Sequence, residues 1–179
     1  MTRLFITGMF RSGTTLLARM LHTHEEIVCA SDPYRPFFNA VRDSVAADIG
    51  VDVKPYAPLG SYFGDDDERR LFDAVQNASL NRRFDRDRED LLERIRAHGR
   101  PFSPKIIENL ESISGETFDE IYRALLSKVP DHYGTGSETV EATKEVWTAE
   151  FVTTLADSLP ESRFLLVVRD PRAVSASNN

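Results

Sequence analysis

The chain has 179 residues, of which 41% are hydrophobic and 28% charged, a size and composition that suit one globular domain and fall short of two. A formal net charge of −7 argues against nucleic acid as the main partner, yet leaves room for a small anionic cofactor held by local Arg, Lys and backbone N–H groups. The single cysteine, Cys29, excludes an intrachain disulfide and a zinc site built from Cys pairs, and fits a reducing compartment.

In chain order, residues 4–7 form a short β-rich apolar run that ends at Gly8 and predicts a buried strand. Residues 14–22 predict a helix with Leu16, Leu17, Met20 and Leu21 on one face. Residues 27–30 predict a second strand, ended by Asp32 and Pro33. The segment 36–63 is rich in Pro and Gly and reads as loop. The acidic cluster 65–68 precedes a helical pattern through Leu71, Phe72, Val75 and Leu80, and carboxylates suit a helix N-terminus better than a metal site.

Residues 81–98 predict a charged helix stopped by Gly99 and Pro101, and 115–129 a helix with Phe118, Ile121, Tyr122, Leu125 and Leu126 on one face. Residues 139–143 are a weak strand, 147–159 a helix closed by Pro160, and 163–168 a continuous apolar strand of the buried parallel type. Strand, helix, strand in this order implies a crossover and a parallel pair. The fold class expected is α/β, a three-layer P-loop-type fold with a central parallel sheet flanked by helices and a mainly helical insertion at about 36–135.

Two strand ends carry the chemistry. Residues 8–15 nearly match G-x-x-x-x-G-K-[ST], with a strand before and a helix after. Gly8 and Gly13 let the backbone bend so that several N–H groups face one phosphate, and the helix N-terminus adds its positive end. Thr14 replaces the P-loop lysine and the cation moves into the loop as Arg11. A kinase or GTPase needs that lysine and Mg²⁺ on the β/γ-phosphates. A sulfuryl donor asks for less, and one guanidinium, the hydroxyls and the loop amides suffice without metal. At the second strand end, Arg169 closes the 163–168 run, and Ser177 follows eight residues later. An Arg at the carboxyl end of a parallel strand stands where open α/β sheets bind ligands, and with a Ser hydroxyl it can clamp a further phosphate.

Residues 8–15 resemble the 5′-phosphosulfate loop of sulfotransferases that use 3′-phosphoadenosine-5′-phosphosulfate (PAPS), in the Arg form seen in tyrosylprotein sulfotransferases and many bacterial relatives. Arg169 and Ser177 are similar to that family's 3′-phosphate motif. The resemblance implies a PAPS-dependent sulfotransferase moving a sulfuryl group to a hydroxyl acceptor by in-line transfer, with no metal. Arg11, Ser12, Gly13, Thr14 and Thr15 would hold the 5′-phosphosulfate, Arg11 also acting in catalysis, and Arg169 and Ser177 the 3′-phosphate. Asp32, 21 residues after Arg11, matches the catalytic Glu of the tyrosylprotein enzymes, one methylene shorter. A turn-forming Asp before Pro33 competes with that reading, and His24 is the other candidate base. Lys144, 25 residues before Arg169, resembles the Lys that steadies the leaving oxygen, although Glu145 and Val146 depart from the usual continuation; a surface Lys is the competing reading.

The acceptor class stays open among carbohydrate, lipid, peptide and small metabolite. Residues 1–179 are expected to be one domain cut short, because family members continue past Ser177. No signal peptide and no membrane-length apolar run is visible, so a cytoplasmic location is expected. An inactive fragment or nucleotide-binding module of the same fold is the alternative, and a P-loop kinase a further one.

Overall fold

The computed structural model describes residues 1–53 and 66–176. Among these, four strands form one parallel sheet in the order β2-β3-β1-β4: β1 Thr2–Gly8, β2 Ile27–Ser31, β3 Val140–Lys144 and β4 Arg163–Val167. Between β1 and β2 lies α1 Thr14–His22. Between β2 and β3 lie α2 Arg35–Asp48, α3 Asp66–Gln76, α4 Arg88–Gly99, a 3-10 helix Ile106–Ser112 and α5 Phe118–Tyr133. A 3-10 turn Ala149–Phe151 and α6 Val152–Ser158 lead into β4, and α7 Pro171–Ala176 follows it.

Strand alternation sorts the side chains into two cores. Phe5, Val28 and Ala30 point to the face covered by α2 to α6, where Phe37, Phe38, Phe118 and Tyr122 make the large aromatic cluster. Ile6, Cys29 and Ala142 point to the other face, where Ala18, Leu17 and Leu21 of α1 pack. Helices thus flank the parallel sheet on both sides, as the sequence pattern implies.

Several elements depart from expectation. Residues 36–48, read as loop, belong to α2: Pro36 stands in the first helical turn, where its missing N–H has no role, and Phe37, Phe38, Val41 and Val45 form a buried stripe. Residues 54–63 of that expected loop, and Asp65, lie outside the described residues. The 81–98 helix starts only at Arg88, because the Asp87 side chain caps it by accepting the Glu89 and Asp90 N–H groups at 2.9 and 3.3 Å, while Arg83 bridges to Thr117. The 115–129 helix begins at Phe118, behind a capping box of Thr117 and Glu120.

On α1, Leu17 and Leu21 pack inward, but Leu16 and Met20 are exposed, since only one row of the helix meets the sheet. Trp147 stands outside the expected 147–159 helix, in a left-handed turn with φ 61°. The largest correction concerns β4. It was expected to be buried, yet among the described residues it pairs with β1 alone, and Leu166 and, just past the strand, Val168 are 59% and 81% exposed.

Two packing constraints are testable. A Cβ on Gly8 would sit 2.5 Å from the Val167 carbonyl oxygen of β4, so Gly8→Ala has to push the two strand ends apart. We expect overpacking to remove about 1–3 kcal/mol, read as a lowered midpoint in urea unfolding. Burial pushes the Glu150 carboxyl up from 4.5 to about 7, partly offset by its backbone hydrogen bond and by Arg42. The folded chain therefore holds a proton that the unfolded chain releases between pH 4.5 and 7, and this part of the stability is full below 4.5 and lost as pH rises to about 7. Glu150→Gln should flatten that slope in unfolding curves taken across the window.

Candidate functional site

The carboxyl ends of the strands gather the predicted residues by register alone. Ser31 of β2 pairs with Lys144 of β3, and Lys144 pairs in turn with Ile6 of β1. Asp32, one residue beyond β2, therefore meets the Lys144 side chain. On the other side Gly8 pairs with Val167, which brings the glycine loop beside the residues that follow β4. There the Arg169 Nη1 donates to the Arg11 carbonyl at 2.9 Å, joining two segments 158 residues apart.

A cleft of about 460 Å³ opens over this edge, lined among others by Arg11, Thr14, Thr15, Asp32, Lys144 and Arg169. Arg35 from α2, His98 from α4, and Phe10 and Phe102 on the rim complete it. Arg11, Arg35, Lys144 and Arg169 face one carboxylate, Asp32, so the cleft is cationic although the chain is acidic. Among the described residues no side chain caps the N-terminus of α1, so its first N–H groups add to the same field. The arrangement suits an anionic ligand.

The loop is held in shape by its own bonds. Gly13 has φ 99°, which glycine adopts without penalty. The Ser12 hydroxyl and N–H both donate to the Met9 carbonyl, at 2.7 and 3.2 Å, so Ser12 closes the turn while Thr14 and Thr15 line the cleft. Arg11, Asp32 and Trp147 are the described non-glycine residues with positive φ, at 63°, 49° and 61°. Such conformations cost about 1–3 kcal/mol each and gather where a site over-determines the backbone. Trp147 is pinned by its N–H to the Gly8 carbonyl at 3.2 Å, and the adjoining Thr148 hydroxyl meets Thr7 Oγ1 at 3.0 Å.

Lys144 is 1% exposed, not a surface lysine, and its Nζ pairs with Asp32 Oδ2. The other Asp32 oxygen accepts the Val146 N–H at 3.1 Å. Next in sequence, Glu145 is buried, and one of its oxygens accepts the Tyr34 N–H. Burial, then the nearby Asp32 charge, push the Glu145 carboxyl far above the usual range.

His24 lies elsewhere: exposed in the turn before β2, with Nδ1 accepting the Glu26 N–H at 3.2 Å. The five residues of β2 separate it from Asp32, a span of about 16 Å at strand rise. Ser177 lies outside the described residues. Cys29 is buried, and burial pushes its thiol up to about 12 despite Lys144, so it is no thiolate nucleophile. Arg35 and His98 were not anticipated. Both sit on helices between β2 and β3 with no motif around them, and the only signal for His98 was its place on the last turn of a predicted helix. Among the described residues, no group of three or more His, Cys, Asp or Glu is placed to hold a metal, and no helix is long and apolar enough to cross a membrane.

Fold and cleft together define an α/β protein that takes an anion at the carboxyl edge of a parallel sheet. The model of the sulfotransferase family matches residues 3–179. The chain belongs to the sulfotransferase family, and no curated protein matches it.

The buried pair gives a direct test. Lys144→Met should strand the Asp32 charge and destabilise the fold by about 3–5 kcal/mol in chemical unfolding. Adding Asp32→Asn should restore part of the loss, because the two residues interact directly.

Proposed function

We propose that the chain transfers a sulfuryl group from PAPS to a hydroxyl acceptor, in line and without a metal. The observation that carries this reading is the Arg169 to Arg11 hydrogen bond, which unites two phosphate-type motifs at one end of a cationic cleft. A donor with phosphate groups at both the 5′ and 3′ positions calls for two such grips.

In this reading the amides of Gly13, Thr14 and Thr15, the two threonine hydroxyls and the Arg11 guanidinium take the 5′-phosphosulfate. Ser12 keeps the loop in the shape that aims those amides. Arg169, with Ser177, takes the 3′-phosphate. Arg11 and Lys144 stabilise the charge that develops on the transferred group and on the bridging oxygen as it leaves. Preformed cations in a partly enclosed cleft need no reorganisation at that moment. Resemblance to the tyrosylprotein enzymes gives Asp32 the acceptor's proton, and in the fold Asp32 is also the partner of Lys144.

Desulfated donor, 3′-phosphoadenosine-5′-phosphate, serves as the binding probe. Arg11→Ala and Arg169→Ala should each weaken its affinity roughly 10- to 100-fold in calorimetry, the loss of a charge-assisted hydrogen bond of about 1.5–3 kcal/mol. The same nucleotide should raise the melting temperature of the wild type, and ATP with Mg²⁺ should not. Unchanged affinity in both variants overturns the donor assignment.

A further inference from the structure

The sheet face that packs against α2 to α6 is apolar except at its carboxyl edge, where polar side chains gather. Strand alternation puts Thr7 of β1 on the same face as Phe5, and Thr143 of β3, the register partner of Phe5, faces the same way. Glu145 stands two residues after Thr143, on that side again. Thr143 and Glu145 are 2% and 3% exposed. Thr143 Oγ1 and Glu145 Oε2 have no hydrogen-bond partner among the described residues, and the Tyr122 hydroxyl of α5, beside Thr143, is buried in the same state. Such groups lose their hydration on folding and are rarely left without a replacement.

A small cavity joins them. It measures about 10 Å³ and is lined by Thr7, Thr143, Glu145 and Thr148 with Phe5, Phe38 and other apolar side chains. That is room for about one water molecule, and a water so enclosed needs about two to four polar partners. Thr143 Oγ1 and Glu145 Oε2 are unengaged. Thr7 offers a donor: its oxygen accepts from the Thr148 hydroxyl at 3.0 Å and the Thr148 N–H at 3.3 Å, so its own proton is left to give.

The other Glu145 oxygen works outside the cavity. It accepts the Tyr34 N–H. Among the described residues no side chain caps α2 at Tyr34, so this bond joins the start of α2 to the end of β3. The Tyr34 hydroxyl is tied in turn to the Leu125 carbonyl of α5. On one side of Tyr34 lies the turn at Asp32 that holds Lys144, and on the other Arg35, which lines the cleft.

We infer that one ordered water molecule occupies this cavity, bound by Glu145, Thr143 and Thr7, and that Glu145, held by it, is a positioning residue for the turn from Asp32 to Arg35. The positioning role rests on the sulfuryl-transfer reading above. The water fixes one carboxyl oxygen and thereby aims the other at the Tyr34 N–H. Because water both donates and accepts, it serves Glu145 with or without a proton on the carboxyl.

The tests use the full chain. A crystal structure should show a water peak within about 3.2 Å of both Glu145 Oε2 and Thr143 Oγ1. An empty cavity, or a direct bond between the two side chains that closes it, overturns the site. Unfolding supplies a sign. Thr143→Val, made in a Tyr122→Phe background so that no tyrosine can partner the threonine, takes a ligand from the water. The unfolding equilibrium constant should rise about 5- to 150-fold relative to Tyr122→Phe alone. A hydroxyl with no partner gives the opposite sign, since an apolar group of the same shape is then neutral or stabilising, and an unchanged or lowered constant overturns the proposal.

For the positioning role, sulfate release from PAPS should fall about 10- to 100-fold in Glu145→Ala, while affinity for 3′-phosphoadenosine-5′-phosphate stays within about threefold of wild type. Glu145→Gln keeps an acceptor for Tyr34 and a polar group for the water, and should turn over within about threefold of wild type. A glutamine variant as slow as the alanine variant assigns the role to the carboxyl's charge and overturns positioning, as does an alanine variant with full turnover. A wild-type chain that neither binds the nucleotide nor releases sulfate counts against the donor reading instead, and the water site is still decided by the crystal structure and by the sign of the Thr143→Val effect.

Discussion

The buried ion pair between Lys144 and Asp32 is the constraint on which the site depends. Burying either residue is costly, and each has the other in direct contact to offset that cost. The parallel register makes the meeting unavoidable, since Ser31 and Lys144 are paired across β2 and β3. The pair then dictates its neighbours. Asp32 takes a left-handed conformation to turn back toward Lys144, and the Val146 N–H is drawn to its second oxygen. Beside Asp32 a further anion is unfavourable, and burial, then the Asp32 charge, push the Glu145 carboxyl far above the usual range, with one of its oxygens accepting the Tyr34 N–H. Two carboxyl groups and one lysine therefore occupy adjacent buried positions. The net positive field of the cleft comes from Arg11, Arg35 and Arg169 around them.

That separation matters for an anion. A ligand entering the cleft meets the guanidinium groups of Arg11, Arg35 and Arg169, the loop amides and the Lys144 and Asp32 pair. The α1 N-terminus adds to the attraction over the glycine loop. Strain follows the same layout. The described left-handed residues outside glycine are Arg11 in the loop, Asp32 after β2 and Trp147 after β3, one on each of three adjacent connections.

The strands and the loop were legible because their signals are local. A short apolar run ending at a glycine defines β1 and its turn, and Gly13 at fixed spacing fixes the start of α1. Lys144 and Asp32 were recoverable as a set through family spacing, although the sequence held nothing to say that the two were in contact. Strand order was not legible. The apolar run of β4 is equally consistent with a central and an edge position, and only the fold shows Leu166 and Val168 facing outward. α2 was lost to Pro36, which breaks a helix in its interior but starts one in its first turn. His98 was out of reach for a different reason. Its place depends on how α4 docks against β2, through Gly99 and through Ser103 on the Ser31 carbonyl, and those contacts join residues about 70 apart in sequence.

This contrast follows from how the fold divides the work. Residues at strand ends have positions set by backbone register, so a short motif can specify them, and they suit the part of a ligand that is the same in every turnover. Residues on the helices between β2 and β3 have positions set by side-chain packing, which tolerates change as long as volume is kept. Arg35, His98 and Phe102 belong to that second kind. All three line the cleft beside the strand-end residues, and the buried Lys144 and Asp32 pair, set by register, lies among them.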